Sequence, residues 1–329
     1  MIRSSGKAGT DWRLHATYDP TEGRFSQLEI SDTHGGESLS RHKLEEGDIV
    51  LGDRGYARTP GLLHVREMGA DFIMRIGWST IRLLAPGGSR LDWNAIYAGM
   101  QPGDIAEHEV LVDHSGRKRG MLGASAFRAR LIVRRKDEAS SERARRAIWF
   151  AHRRKQRVAA HPNPLTVASA DFLLLLTSVP ACEMSPDRVV ATYRLRWQIE
   201  LAFKRLKSGL GIGTLPARDS QLARSWLAAH LIVGLLIDEV VSDSLVFPLL
   251  SPIRRGAHLS LWRMQRFLRN VLLGAVFGEH RLSQIGQGLV ATVRNLFEPP
   301  RRRISQFGRL HALVGDACAD TGITKETRE

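Results

Sequence analysis

The stretch YRLRWQIELAFKRLK carries a phenol at Tyr193, a guanidinium at Arg196, a carboxylate at Glu200 and an amine at Lys207, set among apolar residues. A guanidinium offers phosphate a planar fork, an amine offers a mobile point charge, and a carboxylate is a hard oxygen donor for a divalent cation. At about 100 degrees per residue the four fall within roughly a 60-degree arc, so they share one stripe of a predicted helix. Leu195, Ile199, Ala202, Phe203 and Leu206 occupy a second arc, the one that faces a core. The same pattern also describes an ordinary amphipathic helix, with Arg196 and Glu200 as an i,i+4 pair worth roughly 0.2–0.5 kcal/mol. A second acid stands out in GDIVLGDRGY, where the apolar run Ile49 to Leu51 leads through Gly52 to Asp53. It reads as a buried strand ending in a carboxylate, or as a polar turn residue beside Arg54 and Gly55.

The surrounding elements must hold these residues. From Thr10 to Ile30 apolar and polar residues roughly alternate around Asp19-Pro20 and Glu22-Gly23, which predicts a hairpin. GDIVLGD, TPGLLHVREMG and ADFIMRI then read as strand, helix and strand, a crossover onto a sheet that is parallel at this point. Between about Gly77 and Val179 the chain turns to glycine-marked turns and short apolar stretches, EVLV, RARLIV, AIWF and DFLLLLTSV, and is read as mostly β. Ser185, Pro186 and Asp187 supply an N-cap, a first-turn proline and a dipole-matched acid, so one helix is expected from there to a stop near Gly209. A second long helix is predicted over Asp219 to Ser242, followed by a helical C-terminal region in which LSLWRMQRFLRNVLLGAVF is amphipathic and basic.

The 329 residues contain 48 Lys and Arg against 34 Asp and Glu, a formal charge of +14 that attracts polyanions, nucleic acid first among them. That basicity is concentrated. Residues 114–160 hold fifteen Lys or Arg and three Asp or Glu, an excess of twelve that points to phosphate-backbone contact. Cys182 and Cys318 are too few and too far apart for a disulfide framework or a cysteine zinc site, and the twelve histidines form no HExxH pattern. The longest apolar run, WLAAHLIVGLLIDEVV, is interrupted by His230 and Asp238, so no membrane segment is read.

The spacing Tyr-x2-Arg-x3-Glu-x6-Lys matches the Tyr-Arg-Glu-Lys signature of DDE-type bacterial insertion-sequence transposases, in the group named after insertion sequence four, which the chain resembles. GDIVLGDRGY looks like the family segment that carries the second catalytic aspartate, and GTDWRLH resembles the segment just after the first. The resemblance runs from about Thr10 to Val241. It implies an α/β fold, an RNase H-like core with a mixed sheet, interrupted by a mostly β insertion and followed by a helical C-terminal region. Residues 1–76 would be the first part of the core, 77–180 the basic insertion, 181–245 the second part with the signature helix, and 246–329 the C-terminal region. Asp53 and Glu200 would be the catalytic metal ligands, with two Mg²⁺ ions, or Mn²⁺ in their place. Tyr193, Arg196 and Lys207 would contact DNA near the cleaved end. The implied partners are double-stranded DNA, as transposon ends and target, and a second copy of the chain on that DNA. The implied location is the bacterial cytoplasm, at the nucleoid.

One family feature is not found. The first catalytic aspartate belongs to an opening strand ahead of the segment that resembles GTDWRLH, and here only MIRSSGKA precedes it, without an acid. Asp11 falls where the family has a strand start and Asp19 in a predicted turn, so neither is assigned that role. The expectation is a core without its opening strand, an N-terminally truncated chain that also lacks the family's usual N-terminal DNA-binding region, and little or no transposition activity. Two other readings accompany it: a non-catalytic DNA-binding remnant or regulator, and an RNase H-like nuclease unrelated to transposition.

Overall fold

A computed structural model describes residues 3–4, 12–32, 34–113, 126–155, 161–210, 214–215 and 219–246, with the short stretches 258–259, 270 and 297–298. The chain divides into two compact units, one of Glu37–Arg196 and one of Met1–Gly36 with Trp197–Glu329. The fold is mixed α/β.

The second of these begins with β1 (Arg3–Ser4), which pairs in parallel with Thr214–Leu215. β2 (Arg13–Asp19) and β3 (Arg24–Ser31) then form the expected hairpin. The Asp19 carboxylate closes its turn, accepting from the backbone N–H of Thr21 at 2.7 Å and of Glu22 at 3.2 Å. Gly23 takes φ 71°, a left-handed value open to glycine without strain. Asp19 is therefore a turn residue.

Within Glu37–Arg196 the predicted crossover is present. β4 (Ile49–Gly52), α1 (Thr59–Glu67) and β5 (Asp71–Arg75) follow in order, and β4 and β5 are parallel, Gly52 opposite Met74. β6 (Leu83–Leu84), α2 (Trp93–Tyr97), β7 (Ile105–Val112), β8 (Phe127–Arg135), α3 (Glu138–Lys155), α4 (Pro164–Ala168), β9 (Phe172–Thr177) and α5 (Pro186–Tyr193) come next. The six strands form one mixed sheet in the order β4-β5-β9-β8-β7-β6, antiparallel except for the first pair. Strand alternation splits its core in two. Phe72, Met74, Leu131 and Leu176 pack with Leu62 and Val65 of α1, whereas Ile73, Ile132 and Leu175 pack with Val189, Val190 and Tyr193 of α5.

α3 corrects the sequence reading, in which AIWF was a short stretch of a mostly β region. Asp137 caps the helix, its carboxylate accepting the Ser140 N–H at 2.8 Å, and the run from Glu138 is rich in Ala, Glu and Arg, all good helix formers. Arg145 Nη1 donates to Asp171 Oδ1 at 2.7 Å, which ties α3 to the start of β9.

After Arg196 come α6 (Trp197–Leu210), β10 (Thr214–Leu215) and α7 (Ser220–Val246), the second long helix expected from the sequence. Ala202 and Leu206 of α6 and Ala223, Leu227 and Leu231 of α7 share a core with Trp12, Ala16 and Phe25 of the hairpin region. Among the described residues β2 pairs only with β3, and β4 only with β5, so each strand has one edge without a strand partner. The expected helical C-terminal region, 246–329, lies almost wholly outside the described residues. So do Asp11 and Cys318.

Candidate functional site

Asp53 is placed by the end of β4. Tyr56 N–H donates to the Asp53 carbonyl at 3.0 Å, and Arg54 N–H donates to Asp53 Oδ1 at 2.8 Å, so a tight turn fixes the carboxylate just beyond the strand. Gly52 allows a close approach, because a Cβ there would run into Sδ of the fully buried Met74. The Asp53 side chain remains 44% exposed.

α5 supplies the facing residues. Ser185 caps it, its hydroxyl accepting from Arg188 N–H, and Pro186 and Asp187 fill the first turn as read from the sequence. Its buried side ends in Tyr193. The Arg194 N–H then donates to the carbonyls of Ala191 and Thr192, tightening the chain into a 3-10 turn over Arg194–Arg196. The predicted single helix is thus two helices with a tight turn between them, a correction to the one continuous stripe. The turn has about three residues per revolution, which changes the phase between Tyr193 and the residues of α6.

Arg196 leaves that turn with Nη1 3.9 Å from Asp53 Oδ2, while Arg75, the last residue of β5, sets its Nη1 3.9 Å from Oδ1. Each carboxylate oxygen therefore faces its own guanidinium across a gap longer than a hydrogen bond. The Arg196 guanidinium also lies over the Tyr193 ring, 5.7 Å from its centroid. Burial raises the Tyr193 phenol above its ordinary value; Arg196 opposes that shift and Asp53 adds to it. Arg54 is lowered by burial and then by Arg75, against the opposing pull of Asp53 and Tyr193.

Lys136 joins this cationic group. Its Nζ donates to the Ala170 carbonyl at 2.6 Å, and burial first, then Arg75 and Arg54, bring its pKa down to about 8 from 10.5, with Asp171 opposing. Between those two values the folded chain holds fewer protons at this amine than the unfolded chain, so stability rises with pH across the window. Denaturant midpoints at about pH 7.5 and about pH 9.5 should show that rise, and Lys136→Met should flatten it. Below pH 10, the ordinary value of Tyr56, the tyrosines that burial raises do not yet oppose it.

Glu200 lies in the first turn of α6 and is partly buried; Lys207, near its end, is exposed. The two belong to the unit of Met1–Gly36 and Trp197–Glu329, whereas Asp53, Tyr193 and Arg196 are brought together within Glu37–Arg196.

Residues 3–236 match the model of a family described as the transposase DDE domain. The chain belongs to that family. It is also similar to relatives from Escherichia coli: the putative transposase InsL for insertion sequence element IS186A, of strain K12, and the transposase for insertion sequence element IS421. Each is 36% identical over 248 residues, which cover 75% of this chain and 65% of the relative, so the chain spans less than two thirds of those proteins.

A transposase DDE domain implies dependence on a divalent metal. The oxygen donors of the Asp53 carboxylate suit a hard cation, which takes few protein ligands beside water and substrate phosphate. Among the described residues no group of three or more His, Cys, Asp or Glu could hold one. The family resemblance pointed to Asp53 through GDIVLGDRGY and to Tyr193, Arg196, Glu200 and Lys207 through the signature, but not to Arg75, Arg54 or Lys136. A signal for Arg75 was present: β4 and β5 were predicted parallel, and both strands lead into ionisable residues at the carboxyl end, where open α/β sheets gather their ligands. No helix of the described residues is long and apolar enough to cross a membrane.

Proposed function

We propose that the chain is the metal-dependent catalytic part of an insertion-sequence transposase, which cuts DNA at transposon ends and joins them to a target by phosphoryl transfer. The observation that carries this reading is the Asp53 carboxylate held at the end of β4 between Arg75 and Arg196, in a chain of the transposase DDE domain family. Asp53 and Glu200 are the residues that would hold Mg²⁺, whose chemistry is to lower the pKa of an attacking hydroxyl and to stabilise a leaving oxygen. Arg196 and Arg75 bind and orient the phosphate beside Asp53, and Arg54 adds positive potential behind them. Tyr193 orients Arg196 through its ring, and Lys207 holds the backbone of the DNA as an exposed point charge. The core, basic insertion, signature segment and C-terminal region are the parts of this machine, and two copies assembled on two ends are its working form.

Three arginines around one carboxylate also suit a protein that binds phosphate without cutting it, and this favours the regulator as a second reading. Metal removal separates the two. The protein is mixed with labelled transposon-end DNA in Mg²⁺ or in chelator, and strand breaks and binding are both measured. Breaks that require Mg²⁺ support the catalytic reading; salt-sensitive binding that is the same with and without metal, and never followed by breaks, supports the regulator.

A further inference from the structure

The solvent side of α3 has an arrangement that the sequence reading did not resolve. At about 100 degrees per residue, Arg143, Arg146, Phe150, Arg153 and Arg154 fall within an arc of roughly 120 degrees. All five are exposed, Phe150 by 70%. The opposite side is the one that packs, with Ser141 fully buried, Ala144 and Ile148 partly buried, and Arg145 fastened to Asp171 and Glu138. The neighbouring Trp149 is engaged elsewhere, its ring 5.9 Å from that of His161. A single exposed phenylalanine is ordinary on a protein surface. One enclosed by four arginines is a different object, because its surroundings repel every cationic partner and attract a polyanion that also has flat apolar faces.

We propose that this face of α3 binds DNA carrying an unpaired base, with Arg143, Arg146, Arg153 and Arg154 on successive phosphates and the Phe150 ring stacked on the exposed base. The proposal rests on DNA being the partner of this chain and adds a second contact surface to the one at Asp53. Fully paired duplex offers the arginines their phosphates but keeps its bases stacked on one another; a frayed or single-stranded segment offers both. The arginines are free to exchange their present contacts. Arg146 pairs with Glu142 at 3.0 Å, both side chains more than half exposed, and such pairs are weak. Arg143 donates to the Ser140 hydroxyl at 2.9 Å and feels the charge of Asp137, which is exposed. Because α3 is held at its base by Asp137 and along its length by Asp171, the five side chains sit on a fixed frame, which lowers the ordering cost of binding.

The test is anisotropy of labelled DNA in two forms of one sequence, a blunt duplex and the same duplex with a few mismatched pairs at one end, measured over a series of salt concentrations. The protein should prefer the frayed form. Phe150→Ala should bring its affinity down to that for the blunt form, a loss of about tenfold, while Phe150→Trp, which keeps a stacking ring, should retain the preference. Replacing the four arginines by glutamine should weaken both forms and flatten the slope of log affinity against log salt by roughly three to four. Equal affinities for the two DNAs in the parent protein, an unchanged slope in the glutamine variant, or displacement of the frayed DNA by polyglutamate as readily as by unlabelled DNA would overturn the proposal. Asp53→Asn distinguishes it from the catalytic reading: that variant should keep the preference for frayed DNA whether or not the parent protein cuts.

Discussion

Asp53→Asn should lower DNA cleavage by at least about a hundredfold and, at the same salt, tighten the binding of DNA. The first effect follows because outer-shell changes at metal sites already cost about 10–100-fold, and a direct ligand matters more. The second follows from charge. Asp53 is the carboxylate that partly offsets Arg75, Arg196 and Arg54, and an amide in its place leaves their potential unopposed. Asparagine keeps an oxygen to accept from Arg54 N–H, so the turn after β4 should survive. Strand-cleavage assays and anisotropy on the same preparations check both halves. If binding fell together with cleavage, Asp53 would be a fold residue and the assignment of a metal ligand would fail.

Arg130→Leu should cost about 3 kcal/mol of stability, the range for a buried ionic group removed from its partners. Arg130 rises from β8 with its side chain only 11% exposed, forms an ion pair with Glu107 on β7, and donates through Nη1 to the carbonyls of Val179 at 2.8 Å and Met184 at 3.0 Å. Those carbonyls belong to the segment that leads from β9 into α5. Leucine leaves the two carbonyls without that donor and the partly exposed Glu107 carboxylate without its ion-pair partner. Thermal or urea unfolding measures the loss. A change below about 1 kcal/mol would mean that water replaces the guanidinium without penalty. Because α5 delivers Tyr193 and Arg196, the variant should also bind DNA less well at temperatures where it remains folded.

What was legible in the sequence was whatever depends on neighbours along the chain. The alternation around Asp19 predicts the hairpin, the run before Gly52 predicts β4, and Ser185-Pro186-Asp187 marks the start of α5 to the residue. The family resemblance singled out Asp53 as a metal ligand beside Glu200 and Arg196 as a DNA contact, but it did not pair Asp53 with Arg196, whose charged groups lie 3.9 Å apart in the structure. What depends on packing was not legible. The turn at Arg194–Arg196 interrupts a pattern whose apolar spacing continues through it, because 3-10 and α periodicities diverge too little over three residues to leave a trace. α3 was missed for a related reason: AIWF is apolar in a strand and in a helix alike, and only the length of the run from Glu138 to Lys155 decides between them. Arg75 could be matched to Asp53 only once the register of β4 against β5 was known.

The two cationic surfaces, one around Asp53 and one along α3, lie in the same compact unit, Glu37–Arg196. A single DNA molecule long enough to reach both would be held by a chelate: once one grip had closed, the other would act at a high local concentration of its own ligand. Short oligonucleotides that span only one surface would forfeit that avidity, so the length of the DNA, as well as its sequence, should set how long it stays bound.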